Sequence, residues 1–319
     1  MADERILVTG IGGFVGRHLA AALRESTDAR LYGTVISDRE ITPENPLDDV
    51  EPIECRLEDP ASVESVVREV EPTVVYHLAA QSSVPKSLSD PRGTFDTNVM
   101  GTLHLLEALR GVERLRTVIQ ISSAEVYGIL PESALPVTES TPLDPSNPYA
   151  CSKACADLLG AQYFRTYGVP VVRIRPFNHI GPGQADAFVT SSFARQIAEI
   201  EAGKKPPKLM VGNLEAKRDF TDVRDVVRAY IAAMRGCVPG EAYNICSGRA
   251  VSIREILDRL LALTSVSVEV AQDPERMRPS DMPVTLGDYS KFNKATGWMP
   301  TTPLDRTLRD LLDHWRRLV

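Results

Sequence analysis

Tyr149 and Lys153 stand four residues apart in the segment Asn147-Pro148-Tyr149-Ala150-Cys151-Ser152-Lys153. On a helix that spacing puts both side chains on one face, a turn apart. A phenol with a pKa of ~10 is a poor acid–base group at neutral pH. An ammonium one turn away favours the phenolate and is expected to lower that pKa. The pair therefore suits proton transfer to or from a hydroxyl or carbonyl oxygen. The local grammar starts a helix here. Asn147 can cap the free N–H groups of the first turn, and Pro148 fits the first helical position. The pattern runs through Ala154, Leu158 and Leu159 until Gly168-Val169-Pro170 stops it.

A second constellation sits at the other end of the chain. Arg5–Thr9 is a short apolar run that breaks at Gly10-Ile11-Gly12-Gly13-Phe14-Val15-Gly16, and a helix follows with Val15, Leu19, Ala22 and Leu23 on one face. Gly10, Gly13 and Gly16 give the spacing G-x-x-G-x-x-G between a strand and a helix. Each has a reason: a tight turn, close approach of backbone to a pyrophosphate, and close helix–strand packing. The helix N-terminus then offers free N–H groups to a diphosphate. Dinucleotide binding is the expectation.

The elements that must position these residues alternate. Strands are expected at Arg30–Val35, Pro52–Cys55, Thr73–Leu78, Arg116–Ile121 and Val169–Ile174, with helices from Asp59-Pro60, over Gly93–Arg110 and over Asn147–Tyr167. Strands separated by helices imply βαβ units and a doubly wound parallel sheet of Rossmann type, the fold class α/β. Ligands of such sheets bind at the carboxyl ends of the strands. Three segments end there with small or polar residues: Ala79-Ala80-Gln81, Ser122-Ser123-Ala124-Glu125 and Asn178-His179. Ser123 is thereby placed to face Tyr149, where a hydroxyl and a phenol can bind one substrate oxygen.

Composition narrows the function classes. The chain has 319 residues, is 43% hydrophobic and 25% charged, and carries a net charge of −7 with no basic block to offset it. That balance argues against nucleic acid and anionic membranes as partners. No apolar run approaches the length of a membrane span, and the first residues lead into a strand with no signal-like apolar region. The cysteines Cys55, Cys151, Cys155, Cys237 and Cys246 include no Cys-x-x-Cys pair, so core thiols in a reducing compartment, the cytoplasm, are expected and no metal site.

Together these residues resemble a family. Thr9-Gly10-x-x-Gly13-Phe14-x-Gly16, His77-Leu78-Ala79-Ala80, Asn98, Ser123 and Tyr149-x-x-x-Lys153 are similar to the extended short-chain dehydrogenase/reductases. Three further segments resemble the members acting on GDP-mannose derivatives: Arg175 to Gln184, Val211 to Asp222, and Arg278-Pro279-Ser280-Asp281. They are most similar to the GDP-4-keto-6-deoxy-D-mannose reductases, with the GDP-mannose 4,6-dehydratases as close relatives. The resemblance implies catalytic roles for Ser123, Glu125, Tyr149 and Lys153. It implies cofactor contacts from Gly10, Gly13, Phe14, Val15, Gly16, Leu78, Ala79, Ala80, Asn98, Tyr149, Lys153 and Pro176. It implies substrate contacts from Asn178, Val211, Asn213, Arg218, Arg278 and Asp281, the two arginines clamping the diphosphate as their planar guanidinium forks suit. A GDP-linked sugar as substrate and a homodimer through the helices Gly93–Arg110 and Asn147–Tyr167 are further implications.

Two positions depart from the pattern. The stretch after the second strand, Gly33-Thr34-Val35-Ile36-Ser37, lacks the usual ribose-reading acid or base. Ser37 and Arg39 could hold a phosphate, so NADP is favoured over NAD. Arg56 stands where relatives often place an aspartate near the adenine. The dinucleotide-binding domain is expected over 1–175, with returns near 222–247 and 285–297. Residues 176–319 make a smaller, largely substrate-binding α/β lobe, with helices near Phe188–Glu201 and Ser252–Leu263. The capping box Ser252/Glu255 starts the second of these, and a final amphipathic helix spans Pro303 to Leu318. Three functions remain in view: reduction of the 4-keto group of a GDP-6-deoxyhexose (to GDP-D-rhamnose), 4,6-dehydration of GDP-mannose, and non-catalytic regulation by a bound dinucleotide. Ser123, Tyr149 and Lys153 disfavour the last. Ala124 favours the first, because it fills a slot where dehydratases carry a serine or aspartate.

Overall fold

The apolar runs of the first half assemble into one sheet, and a later stretch of chain supplies its seventh strand. The computed structural model describes residues 4–37, 49–274 and 282–319. The chain opens with β1 (Arg5–Thr9), α1 (Phe14–Ser26), β2 (Arg30–Val35), β3 (Val50–Glu54), α2 (Pro60–Val70) and β4 (Val74–His77). It continues with short helices α3 (Val84–Ser89) and α4 (Pro91–Phe95), a π-helical turn over Asp96–Met100, α5 (Gly101–Leu109) and β5 (Thr117–Ile121). A 3-10 turn over Ala124–Tyr127 precedes α6 (Pro148–Tyr167) and β6 (Val171–Pro176). Beyond lie β7 (Asn178–Ile180), α7 (Val189–Glu201), β8 (Lys208–Val211), β9 (Lys217–Asp222), α8 (Val223–Gly236) and β10 (Ala242–Ile245). The last elements are β11 (Ala250–Ser252), α9 (Ile253–Leu261), β12 (Glu269–Gln272), α10 (Ser290–Thr296) and α11 (Leu304–Leu318).

The large sheet has the order β10-β6-β5-β4-β1-β2-β3, and every pair in it is parallel. Successive strand residues point to opposite faces, and β1 shows it. Ile6 and Val8 join Leu19 and Leu23 of α1 and Tyr230 of α8 in one cluster. Leu7 joins Val75, Leu105, Leu106 and Tyr163 on the other face, under α2, α5 and α6. Strand order reverses between β1 and β4, which opens a crevice at their carboxyl ends. The second lobe holds a three-stranded sheet β11-β9-β7 and the parallel pair β12–β8. Ile180, Phe193, Ile197, Leu209, Leu257, Leu308, Leu311 and Leu312 pack beneath them, joining α7, α9 and α11. The chain rejoins the large sheet through α8, β10 and α10.

Three expectations change. The helix expected over Gly93–Arg110 is not one rod. Asp90 caps it earlier, its side chain accepting the Gly93 N–H at 2.9 Å, and Pro91 takes the first helical position. The π-helical turn then separates α4 from α5. The third strand begins at Val50, two residues before Pro52, and ends at Glu54. The strand expected at Val169–Ile174 runs from Val171 to Pro176, so it carries the residues after Ile174 to the crevice.

Candidate active site

The glycine loop lies where β1 meets the crevice. Gly10 has φ +70°, a conformation that favours glycine. A Cβ there would meet the Ala79 backbone at 2.9 Å, so the loop and the Leu78-Ala79-Ala80 stretch are in contact. A Cβ on Gly16 would meet the carbonyl oxygens of Gly10 and Ile11, both at 2.6 Å. Gly13 is exposed, and nothing but the Gly10 carbonyl at 3.3 Å lies near its Cβ position. Gly13 is also the N-cap of α1, with no side-chain cap, whereas Asp59, Asn147, Asp222 and Ser252 cap α2, α6, α8 and α9. The first N–H groups of α1, at Phe14, Val15 and Gly16, are thus left to a ligand at an open approach. The cradle fits a dinucleotide diphosphate on these grounds.

A buried hydrogen-bond chain joins this loop to α6. His77 Nδ1 lies 2.8 Å from Thr9 Oγ1, and its Nε2 lies 3.0 Å from Thr102 Oγ1. Thr102 donates to the Asn98 carbonyl at 2.6 Å, so its oxygen must accept from His77 Nε2–H. Nδ1 then accepts from Thr9, whose oxygen in turn accepts the Ala79 N–H at 3.2 Å. Burial, with the Lys153 charge adding, pushes the imidazole down to about 3, which keeps it neutral as this chain requires. Asn98, in the π-helical turn, accepts the Gln81 N–H at 2.7 Å and donates to the Gln81 carbonyl at 3.0 Å and to Ser152 Oγ at 2.9 Å. Ser152 donates to the Tyr149 carbonyl at 2.7 Å.

Tyr149 and Lys153 occupy successive turns of α6, as the cap and proline dictate. Asn147 Oδ1 accepts the Ala150 N–H at 2.9 Å, and its Nδ2 donates to Glu125 at 3.4 Å. Glu125 is thereby held at the positive end of α6. The Ser123 hydroxyl accepts the Glu125 N–H at 3.2 Å and lies close enough to the Tyr149 phenol to favour its ionised form. Burial pushes that phenol up to about 12; the Ser123 hydroxyl opposes the rise and Glu125 adds to it. The net shift is upward, opposite to the lowering expected from Lys153, because burial outweighs what favours the phenolate. Lys153 is buried, its Nζ donates to the Ile121 carbonyl, and burial draws it down to about 8 against the pull of Asp157. A phenol that keeps its proton at neutral pH is in the form that can donate it.

Asp157, one turn beyond Lys153, is a residue the sequence reading did not mark. It is fully buried and accepts from Arg175 Nε (2.8 Å) and Nη2 (2.9 Å) and from Arg173 Nη1 (2.8 Å). The signal was present: two arginines alternating in an otherwise apolar, buried strand require a buried counter-charge. Also unmarked was the docking of the 178–184 loop on α1. His18 Nε2 lies 2.9 Å from the Pro182 carbonyl, and Phe14 stacks on His179 with ring centroids 6.1 Å apart.

The residues expected on the substrate side divide. Pro176 ends β6 at the crevice, and Asn178 begins β7, exposed and in register with Phe220 of β9. Arg218 precedes Phe220 by two and so shares its side of the strand. Its Nη1 donates to the Met282 and Lys217 carbonyls at 2.6 and 2.9 Å. Asn213 accepts the Glu215 N–H at 2.9 Å in the turn after β8. Val211 ends β8, its side chain buried in the second lobe's core with Leu209 and Phe193. Arg278, Asp281 and Arg39 lie outside the described residues. Arg56 is exposed just past β3, beside the end of β2, where the Cys55 N–H meets the Val35 carbonyl at 2.9 Å.

Comparison with known proteins shows the family. The family model described as GDP-mannose 4,6 dehydratase matches residues 7–311. GDP-6-deoxy-D-mannose reductase of Pseudomonas aeruginosa is 39% identical over 316 residues, 99% of this chain and 98% of that protein. GDP-mannose 4,6-dehydratase of Yersinia enterocolitica is 30% identical over 80% of this chain and 76% of that one. Among solved structures, RMD from Pseudomonas aeruginosa complexed with NADPH superimposes with a TM-score of 0.86 at 37% identity, covering 99% of this chain and 100% of that one. A glycine cradle at the sheet's switch point, a Ser123–Tyr149 pair beside Lys153, and likeness along nearly the whole length converge: the chain belongs to the GDP-mannose 4,6 dehydratase family of extended short-chain dehydrogenase/reductases.

Proposed function

We propose that the chain reduces the 4-keto group of a GDP-6-deoxyhexose at the expense of NADPH or NADH, converting GDP-4-keto-6-deoxy-D-mannose to GDP-D-rhamnose. The observation that carries this reading is the content of the turn after β5. Ser123 and Tyr149 lie close together and could hold one carbonyl oxygen between them, and Ala124 between Ser123 and Glu125 has no group to protonate a departing hydroxyl. The relative named as a reductase, similar over its whole length, supports it. Gly10, Gly13, Phe14, Val15, Gly16, Leu78, Ala79, Ala80, Asn98 and Pro176 would hold the dinucleotide. When bound, its nicotinamide supplies the hydride. Ser123 orients the keto oxygen, and Tyr149 transfers its phenolic proton to that oxygen as negative charge develops there. The Lys153 ammonium stabilises the phenolate left behind. Glu125 orients sugar hydroxyls. Arg218, with Arg278, would grip the diphosphate, while Asn178, Asn213 and Asp281 complete the sugar-nucleotide site.

The same reading divides the chain into a dinucleotide-binding part, 1–175 with returns near 222–247 and 285–297, and a substrate lobe within 176–319. Exposed Met100 beside α5, and Leu158 and Tyr167 on α6, support a homodimer through these helices. Five free thiols support a reducing compartment, the cytoplasm. The dehydratase reading has one specific observation in its favour, the Glu125 carboxylate held at the start of α6 as an available base. Turnover separates the two. The reductase consumes one NAD(P)H per GDP-4-keto-6-deoxy-mannose and makes no keto sugar from GDP-mannose with oxidised cofactor. Catalytic formation of that keto sugar, abolished by Glu125→Gln, would establish the dehydratase instead.

A further inference from the structure

We propose that Asp157 is a positioning residue of the active site, fixing α6 against the sheet and holding the Lys153 ammonium charged and aimed. This rests on the proposed role of Lys153 beside Tyr149. Asp157 and Lys153 are four residues apart on the buried face of α6. Each anchors the helix to a different strand: Lys153 to the Ile121 carbonyl of β5, Asp157 to Arg173 and Arg175 of β6. Ile121 and Ile174 are in register, so the two anchors grip neighbouring points of the sheet.

The β6 side of the clamp is itself held from behind. Arg175 Nη1 donates to the Tyr127 hydroxyl at 3.0 Å, and Tyr127 donates to Asn244 Oδ1 at 2.7 Å on β10. Arg173 Nη2 donates to the Gly240 carbonyl at 2.8 Å. A carboxylate gripped by two strand-fixed guanidiniums sets where α6 sits, and with it where Tyr149 and Lys153 sit.

Electrostatics points the same way. The titratable groups around Lys153 are Tyr149 and Asp157 on its own helix, neutral His77 from β4, and Glu125 from the turn after β5, which acts on Tyr149. Tyr230 of α8 is buried near Tyr149, and Arg173 and Arg175 approach only through Asp157. Asp157 is the carboxylate that offsets the burial of Lys153. Without it the ammonium loses its counter-charge and passes to the neutral amine at lower pH.

The test is the pH profile of kcat for keto-sugar reduction, with NADPH affinity measured by fluorescence titration in the same samples. The variants are Asp157→Asn, Asp157→Glu and the double Asp157→Asn/Arg175→Gln, which leaves a neutral amide pair if the single change fails to fold. The wild type should lose activity as pH rises through about 8, where Lys153 deprotonates. In both Asn variants the alkaline limb should move down by at least ~0.5 pH unit and kcat at pH 8 should fall at least ~10-fold, with NADPH affinity held within a few-fold. Asp157→Glu should restore the limb. An unmoved alkaline limb in a folded, NADPH-binding Asn variant overturns the proposal. Full activity of Lys153→Met would overturn the Tyr149–Lys153 reading beneath it, and the proposal with it.

Discussion

Replacing Gly13 and Gly16 one at a time by alanine separates two kinds of glycine in one loop. At Gly16 the new Cβ would lie 2.6 Å from the carbonyl oxygens of Gly10 and Ile11 and 2.7 Å from Ile11 Cα, all backbone atoms. No side-chain rotation relieves such contacts, so α1 must shift from the loop, at a cost of roughly 2–3 kcal/mol for overpacking. Alanine recovers about 1 kcal/mol of helix propensity over glycine, leaving a net loss of about 1–2 kcal/mol. That lowers Tm by a few degrees in a chain of this size. At Gly13 φ is −73° and the one near atom is the Gly10 carbonyl oxygen at 3.3 Å, so alanine asks the loop to give by only a few tenths of an ångström. Its methyl group instead intrudes where a diphosphate would approach the first N–H groups of α1. Gly13→Ala should therefore melt closer to wild type than Gly16→Ala does, since its one contact is far milder. It should bind NADPH at least ~10-fold more weakly, a loss of about 1.4 kcal/mol. Differential scanning fluorimetry and equilibrium titration with NADPH read the two effects. A Gly13→Ala protein that binds NADPH like wild type would refute the cradle; an undiminished Tm for Gly16→Ala would refute the packing argument.

Three other outcomes follow from the site. Tyr149→Phe should lower kcat by at least ~10²-fold with NADPH affinity nearly unchanged; activity within a few-fold of wild type would remove this phenol as the proton donor. Arg218→Ala should weaken GDP-sugar binding by roughly 2–4 kcal/mol, since it removes a charge-assisted phosphate contact, and leave NADPH binding alone; calorimetric titration showing equal losses for both ligands would place Arg218 elsewhere. His77, held down to about 3 against an ordinary 6.5, binds its proton more readily in the unfolded chain. Its contribution is therefore complete above pH 6.5 and is lost as pH falls toward 3, reaching roughly 2–3 kcal/mol at pH 4.5. Urea unfolding at pH 7 and 4.5 should show His77→Asn losing that much less on acidification than wild type; equal losses would show that His77 is not the group responsible.

What the sequence displays follows from where each constraint is local. Strands of the large sheet read as apolar runs because both faces are covered by helices. The starts of α2 and α6 read from Asp59-Pro60 and Asn147-Pro148, since a cap and a proline act within one turn. The second lobe's strands did not read this way. β9 is Lys-Arg-Asp-Phe-Thr-Asp, and its Asp219 is buried only because the N–H groups of Ser247 (2.7 Å) and Gly248 (3.0 Å), distant in sequence, fold onto it. The π-helical turn has no local signature either; it is held by Asn98 bonding Gln81 and Ser152. That Tyr149 and Lys153 share successive turns of one helix was legible from their spacing, but the Tyr149 pKa was not. Helical spacing shows which groups share a face, whereas the depth of burial that lifts the phenol depends on every element packed above it.

Transfer of label from the reduced cofactor tests the central claim most directly. GDP-4-keto-6-deoxy-mannose is incubated with NADPH carrying deuterium at the transferable C4 position of the nicotinamide, and the product sugar is read by proton NMR. The account predicts one deuterium at C4 of the hexose for each NADPH consumed, and none once Tyr149→Phe has halted turnover. A product without deuterium at C4, or with the label at C6, would contradict it.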